Sequence, residues 1–301
     1  MRTTRRTTGR TTRGRGSGIL IVLVAIVVVV AGVGLLFYKG VGPLPNPEGC
    51  RANVGGVEAD LSTEQAQNAA LIAAVGLRRG LPARAVSIAL ATAYQESKLR
   101  NLPSGDRDSV GLFQQRPSMG WGSVRQISDP YYATNKFYDA LQKVAGYQSM
   151  RITVAAQRVQ RSGFPEAYSE HEPDARAVAS ALTGFSPHKF TCVVHGGSTA
   201  PARAALAVRA DLETAFGPAW STPVATGRAV AVSVPPGPAG TRQGWAVAQY
   251  LVAQARRLDI ARVAYDGRAW TAGSASEQGW RRYRSGDRSR HRVHVEVVAG
   301  G

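Results

Sequence analysis

The sequence predicts an α-rich domain followed by a small α/β domain, both behind one N-terminal apolar helix. Three observations in the 301 residues support this prediction. Residues 19–38 contain no charge and are long enough to span a bilayer. Apolar residues recur at helical spacing between residues 61 and 182. From Pro201 onward there is no Lys, 14 Arg remain, and strand-like segments alternate with helices.

The N-terminal segment predicts a membrane anchor at residues 18–38. The preceding tail, residues 1–17, carries six Arg and no acid, so we expect it to be disordered and cytoplasmic, with the later residues extracytoplasmic. A signal peptide cleaved within residues 31–34 is the alternative. Residues 39–49 are rich in Pro and Gly and predict a linker. The net charge of +17 favours anionic lipid or wall polymer as a neighbour, and this topology argues against nucleic acid.

The chain has two cysteines, Cys50 and Cys192. In an extracytoplasmic compartment a pair of cysteines predicts one disulfide, which would tie together the ends of a domain at residues 50–195. Two unpaired thiols remain the alternative, and a metal site built from cysteines so far apart is less favoured.

Two helices are predicted before residue 98. Residues 61–79 form the first, with Ser62 as its cap and Gln65 completing a capping box. The second follows Pro82, and its apolar spacing continues to Glu96. A carboxylate held against apolar surface has a raised pKa and can donate a proton near neutral pH. The alternative is that Glu96 lies at a frayed helix end and points to water.

A pair of motifs favours the first interpretation. Gln95, Glu96 and Ser97 are followed, fifteen residues after the Glu, by the Gly-Leu-Phe-Gln segment at 111–114. This spacing resembles the lysozyme-like lytic transglycosylases and goose-type lysozymes, over about residues 61–183. The resemblance implies a lysozyme-like fold in which Glu96 is the catalytic acid and base and Ser97 orients it. It also implies that Gln114 binds the sugar.

The same resemblance extends to later residues. A Tyr that faces the catalytic Glu in the family is matched by Tyr168, whereas the family's Tyr-Asn-Ala-Gly segment is replaced by the sequence QRVQRSG at 157–163. Trp121, between two glycines in a loop, could stack on a sugar ring or fill the core. Asp106 and Asp108 could supply the second carboxylate that hydrolysis uses, or could serve only the loop's turns and solubility.

Residues 204–301, after a linker at 196–203, predict the α/β domain. Helices are expected at 204–216 and 245–258, and strands at 229–234, 260–265 and 293–298. The domain resembles a C-terminal domain of actinobacterial cell-wall proteins that is distantly similar to zinc D-Ala-D-Ala carboxypeptidases. Arg292 replaces the first His of the metallopeptidase pair and leaves His294, so we expect no metal and no other cofactor. Six arginines cluster near the last predicted strand, and they could form a solvated face or bind an anionic wall polymer: Arg281, Arg282, Arg284, Arg288, Arg290 and Arg292.

Together these features predict a membrane-anchored, extracytoplasmic enzyme that cleaves the glycan of peptidoglycan. Lytic transglycosylation and hydrolysis both remain open. The competing interpretation is a non-catalytic wall-binding or scaffold protein that keeps the lysozyme-like fold.

Overall fold

The computed structural model describes residues 16–38, 46–161, 166–196, 201–218, 220, 223–283 and 291–298. The chain divides into two units, Met1–Asn46 and Pro47–Gly301. The first contains helix α1, Gly16–Tyr38, whose side chains are described for residues 21–35. Among the described residues, no helix has both the length and the apolarity needed to cross a membrane. Most of the predicted tail, residues 1–15, and most of the predicted linker, residues 39–45, lie outside the described residues.

The second unit opens with a β-hairpin that the helical prediction did not include. Strand β1, Gly49–Val54, pairs antiparallel with β2, Val57–Leu61. The two residues between them, Gly55 and Gly56, have φ angles of 60° and 84°, which glycine adopts without strain.

Strand β3, Phe190–Val193, completes a three-stranded sheet in the order β2-β1-β3. Cys50 lies directly opposite Cys192 in the register of β1 and β3. The two cysteines form a disulfide, so the predicted covalent closure of this part of the chain is confirmed.

Among the described residues, six α-helices build the α-rich part between β2 and β3. The predicted capping box of Ser62 and Gln65 begins α2. Helix α3 is buried along most of its length and packs against α2, α5, α6 and α7, which makes it the central helix. The six are α2 (Thr63–Arg78), α3 (Ala83–Ser97), α4 (Val124–Ile127), α5 (Pro130–Gln142), α6 (Ile152–Gln160) and α7 (Glu172–Leu182).

The described residues of the C-terminal part form two α-helices and a six-stranded sheet in the order β4-β5-β9-β6-β7-β8, with every pair antiparallel. The last of the described strands therefore lies in the middle of this sheet. The elements are α8 (Pro201–Phe216), β4 (Val224–Thr226), β5 (Ala229–Ser233), α9 (Gly237–Ala253), β6 (Ile260–Tyr265), β7 (Arg268–Thr271), β8 (Arg281–Arg282) and β9 (Arg292–Val297).

The bounds of α8 and α9 differ most from the prediction, and α9 ends at Ala253 rather than at residue 258. Helix α8 begins at Pro201, inside the predicted linker at 196–203, whose residues 197–200 lie outside the described residues. Helix α9 begins at Gly237 rather than at Trp245. Its first two turns are rich in Gly and polar residues, so the apolar periodicity starts only where the helix becomes buried.

Side chains from the C-terminal part cover the outer edge of β3. The buried Gln249 accepts hydrogen bonds from the backbone N–H groups of Lys189 and Phe190, at 2.9 and 2.8 Å. The indole of Trp280 donates to the Phe190 carbonyl at 2.8 Å, and that of Trp270 to the Cys192 carbonyl at 2.9 Å. These bonds satisfy backbone groups that an edge strand would otherwise leave open. Pro47–Gly301 accordingly forms one compact unit.

Candidate functional site

Glu96 lies in the last turn of α3, where the chain leaves the helix abruptly. Lys98 and Leu99 both adopt the left-handed conformation, with φ angles of 56° and 58°. The Glu96 side chain is half-buried, and burial raises its pKa because the charged form loses water. Hydrogen bonds from Tyr168 and Gln160 act in the opposite direction and favour the carboxylate. Burial therefore favours the protonated form of Glu96, and the two hydrogen bonds stabilise the carboxylate that remains after it has given up a proton.

Tyr168 is a hydrogen-bond partner of Glu96 from the segment that precedes α7. It lies in a 3-10 turn, Ala167–His171, and is fully buried. Its hydroxyl donates to Oε1 of Glu96 at 2.8 Å. In the same turn, the ring of His171 stacks on Tyr94 and its Nε2 lies 3.1 Å from Oε1 of Gln95. Two further contacts thus hold the turn against α3 and keep the Tyr168 hydroxyl on Glu96.

The segment at 111–114 lies against the end of α3. The buried hydroxyl of Ser97 contacts the Leu112 carbonyl at 2.7 Å and the Ala93 carbonyl at 3.0 Å. Gly111 has a φ of 80°, and a Cβ there would approach the Ile127 carbonyl oxygen to 2.7 Å, so only glycine fits. Ser97 therefore acts on the site by joining the helix to this loop.

Gln160, at the end of α6, is the site residue that the sequence reasoning missed. Its Nε2 donates to the Phe113 carbonyl at 2.8 Å, and its side chain also hydrogen-bonds Glu96. Within the described part of the chain its Oε1 is buried without a hydrogen-bond partner. Gln160 belongs to the segment that replaces the family's Tyr-Asn-Ala-Gly, of which residues 162 and 163 lie outside the described residues. The available signal in the sequence was an amide side chain, Gln160, in the segment where the family has Tyr-Asn-Ala-Gly.

The other predicted sugar-binding residues are used partly within their own loops. The Gln114 amide accepts from Ser109 Oγ at 3.0 Å and donates to the Gly111 carbonyl at 3.0 Å. Trp121 is half-buried and packs against the hydrophobic core, while its carbonyl accepts from the Tyr132 hydroxyl at 3.2 Å. Each side chain retains some exposure, so both are partly available to a ligand.

The two predicted second carboxylates differ in environment. The side chain of Asp106 is 94% exposed, and its ion-pair partner is Arg107 at 3.8 Å. Asp108 accepts from Nε of Arg116 at 2.7 Å and from the backbone N–H of Ser118 at 2.8 Å. The same two residues hold the pKa of Asp108 well below its usual range. Asp108 therefore organises its loop, and none of the hydrogen bonds described for either carboxylate reaches Glu96.

The predicted features of the C-terminal sheet lie on two strands. His294, on β9, is half-buried, while Arg292 on the same strand is exposed, as are Arg281 and Arg282 on β8. Within the described ranges, no group of three or more His, Cys, Asp or Glu side chains could hold a metal ion. The remaining members of the predicted arginine cluster, Arg284, Arg288 and Arg290, fall outside the described residues.

Comparison with known proteins gives one family for part of the chain. Residues 221–295 match the family described as "VldE, C-terminal domain". This match lies entirely within the predicted α/β domain at 204–301. A search of curated proteins found no match to the chain.

Proposed function

We propose that this protein is a membrane-anchored, extracytoplasmic enzyme that cleaves the β-1,4 bond between N-acetylmuramic acid and N-acetylglucosamine in peptidoglycan. Glu96 would be its acid and base. The observation that carries the proposal is that Glu96 is half-buried, has a raised pKa, and accepts a hydrogen bond at Oε1 from the Tyr168 hydroxyl at 2.8 Å. The anchor rests on the uncharged run at 19–38 and the Arg-rich segment before it.

The chemistry follows from one carboxyl group that serves twice. Protonated Glu96 donates its proton to the glycosidic oxygen, and the bond from the anomeric carbon to that oxygen breaks. The 6-hydroxyl of the muramic acid then attacks the anomeric carbon, and Glu96 takes the proton of that hydroxyl. Between the two steps Glu96 is a carboxylate, which the hydrogen bonds from Tyr168 and Gln160 stabilise.

The surroundings of the loop carboxylates favour transglycosylation over hydrolysis. Hydrolysis normally needs a second carboxylate beside the scissile bond. Asp108 is held by Arg116 and Ser118, and Asp106 extends into solvent. The intramolecular attack needs neither of them.

A non-catalytic wall-binding protein is the competing proposal. It is favoured by the bonding of the Gln114 amide within its own loop and by the replacement of the Tyr-Asn-Ala-Gly segment. In that case the fold would bind glycan without turning it over.

Product analysis with matched variants distinguishes the proposals. The full chain is incubated with purified peptidoglycan, and the released muropeptides are identified by mass spectrometry. Glu96→Gln keeps the size of the side chain and removes its proton, so it should abolish product release. Glu64→Gln, at an exposed position in the first turn of α2, is the control and should retain activity.

Each outcome has a definite meaning. Products with 1,6-anhydro ends from the wild type, absent with Glu96→Gln, would support transglycosylation. Reducing ends would instead indicate hydrolysis. If no products form and the protein still pellets with the wall, the enzyme proposal is wrong and the binding protein is favoured.

A further inference from the structure

A cavity lies at the other end of α3 from Glu96. It has a volume of about 480 Å³ and is bounded by the hairpin tip, the start of α3, and α7. Its lining includes Ala83, the first residue of α3. At a rise of about 1.5 Å per residue, roughly 20 Å of helix separates Ala83 from Glu96. The cavity is therefore distinct from the candidate active site.

The lining of this cavity combines apolar residues with two arginines. Val54 and Val57, from the hairpin, and Phe185, which is 57% exposed, supply apolar surface. Arg84 and Arg176 also line the cavity. An apolar wall with a few convergent polar groups is typical of sites for small organic ligands.

The charges of the cavity are not balanced. Arg176 is paired with Glu172, one turn earlier on α7. Arg84 donates to the Met150 carbonyl, and among the described residues its buried Nε has no hydrogen-bond partner. Burial and the nearby charge of Arg176 both lower the pKa of Arg84, whereas the charge of Glu172 raises it, so Glu172 offsets part of the repulsion between the two cations.

A third guanidinium lies beside one of the lining residues. That of Arg242 lies over the Phe185 ring, 4.7 Å from its centroid, although Arg242 does not itself line the cavity. An anion placed in the cavity would relieve the repulsion between Arg84 and Arg176. It would also meet guanidinium donors whose planar arrangement matches a carboxylate.

We propose that this cavity binds a carboxylate-bearing ligand with a short aliphatic body, the carboxylate lying beside Arg84 and Arg176 and the aliphatic part against Val54, Val57 and Phe185. A fatty acid and the free end of an aliphatic peptide share this chemistry. Inorganic phosphate is an anion without an aliphatic part, so it serves as a probe for the effect of charge alone.

The test is calorimetric titration of the full chain with defined probes. Hexanoate and N-acetyl-alanyl-alanine represent the two sources, their primary amides are neutral controls, and inorganic phosphate tests charge alone. We expect saturable binding of at least one acid, at least tenfold tighter than its amide, since a hydrogen bond to a charged group accounts for about that factor. The acid that binds more tightly identifies the source.

Variants assign the binding to the cavity. Arg84→Gln and Arg176→Gln should each weaken acid binding at least tenfold, whereas Arg125→Gln, at an exposed position outside the cavity, should leave it unchanged. Because Arg84 also bonds the Met150 carbonyl, Arg176→Gln is the decisive variant if Arg84→Gln fails to fold. Equal binding of acid and amide, phosphate binding as tight as the acids, or no effect of Arg176→Gln would overturn the proposal.

Discussion

Replacing Tyr168 by Phe tests the candidate site directly, because it removes one hydroxyl and leaves the buried ring in place. That hydroxyl donates to Glu96 at 2.8 Å and favours its carboxylate form. Burial already raises the pKa of Glu96, so the loss of this donor should raise it further. The protonated form of Glu96 would then persist to higher pH in the variant than in the wild type.

The expected size of the shift follows from the strength of one hydrogen bond. A bond to a charged group contributes about 1.5–3 kcal/mol, and one pKa unit corresponds to about 1.36 kcal/mol. Gln160 remains as a second donor to Glu96, so the lower end applies. We expect the loss of the Tyr168 hydroxyl to favour the protonated form of Glu96 about tenfold, which raises the pKa of Glu96.

The measurement is an NMR titration of side-chain carboxyl carbons in protein labelled at Glu, with Glu96→Gln used to assign the Glu96 signal. Tyr147→Phe, another buried tyrosine of the same unit, is the control and should leave the pKa of Glu96 where it is. In a parallel pH–rate profile, the decline of activity on the alkaline side should move to higher pH with Tyr168→Phe. If the pKa of Glu96 stays unchanged or falls, the Tyr168 hydroxyl does not stabilise the carboxylate and the reasoning is wrong.

Two further predictions concern what holds the site in place. Ser97→Ala removes the contact to the Leu112 carbonyl and should lower the free energy of unfolding by about 1–3 kcal/mol. The control Ser87→Ala loses only a bond to the backbone of its own helix and should change the free energy of unfolding much less. Urea unfolding measures both variants, and equal losses would contradict the role of Ser97 as the link to the loop. The double variant Cys50→Ser/Cys192→Ser opens a covalent loop with a sequence separation of 142 residues and should cost about 5 kcal/mol in a chain-entropy estimate. Thermal unfolding with and without reductant checks this, and an unchanged melting temperature would show that the bridge adds no stability.

The helical elements were predictable because their signals are local. The capping box of Ser62 and Gln65 lies within one turn of chain, and the apolar spacing of α3 continues to the turn that carries Glu96. The hairpin at 49–61 was missed even though Gly55-Gly56 between short alternating segments is a hairpin signal.

The candidate site was predictable in part. Glu96 and Tyr168 were both selected from the resemblance, and the structure places them 2.8 Å apart although 72 residues separate them in the chain. Gln160 was not selected because its role depends on how α6 packs against the loop at 111–114, which no local pattern reports. The contacts of Asp108 with Arg116 and Ser118 depend on loop geometry in the same way.

The central position of β9 has a consequence for the order in which the protein can fold. This strand, Arg292–Val297, follows the other described strands in the chain and pairs with β5 on one side and β6 on the other. While the chain emerges from the ribosome, β5 and β6 therefore have no neighbour between them until residues 292–297 have been made. The indoles of Trp270 and Trp280, which cover β3, belong to this sheet and its flanking segment. A chain without residues 292–297 would lack the strand that joins β5 to β6 and would therefore leave this sheet in two parts.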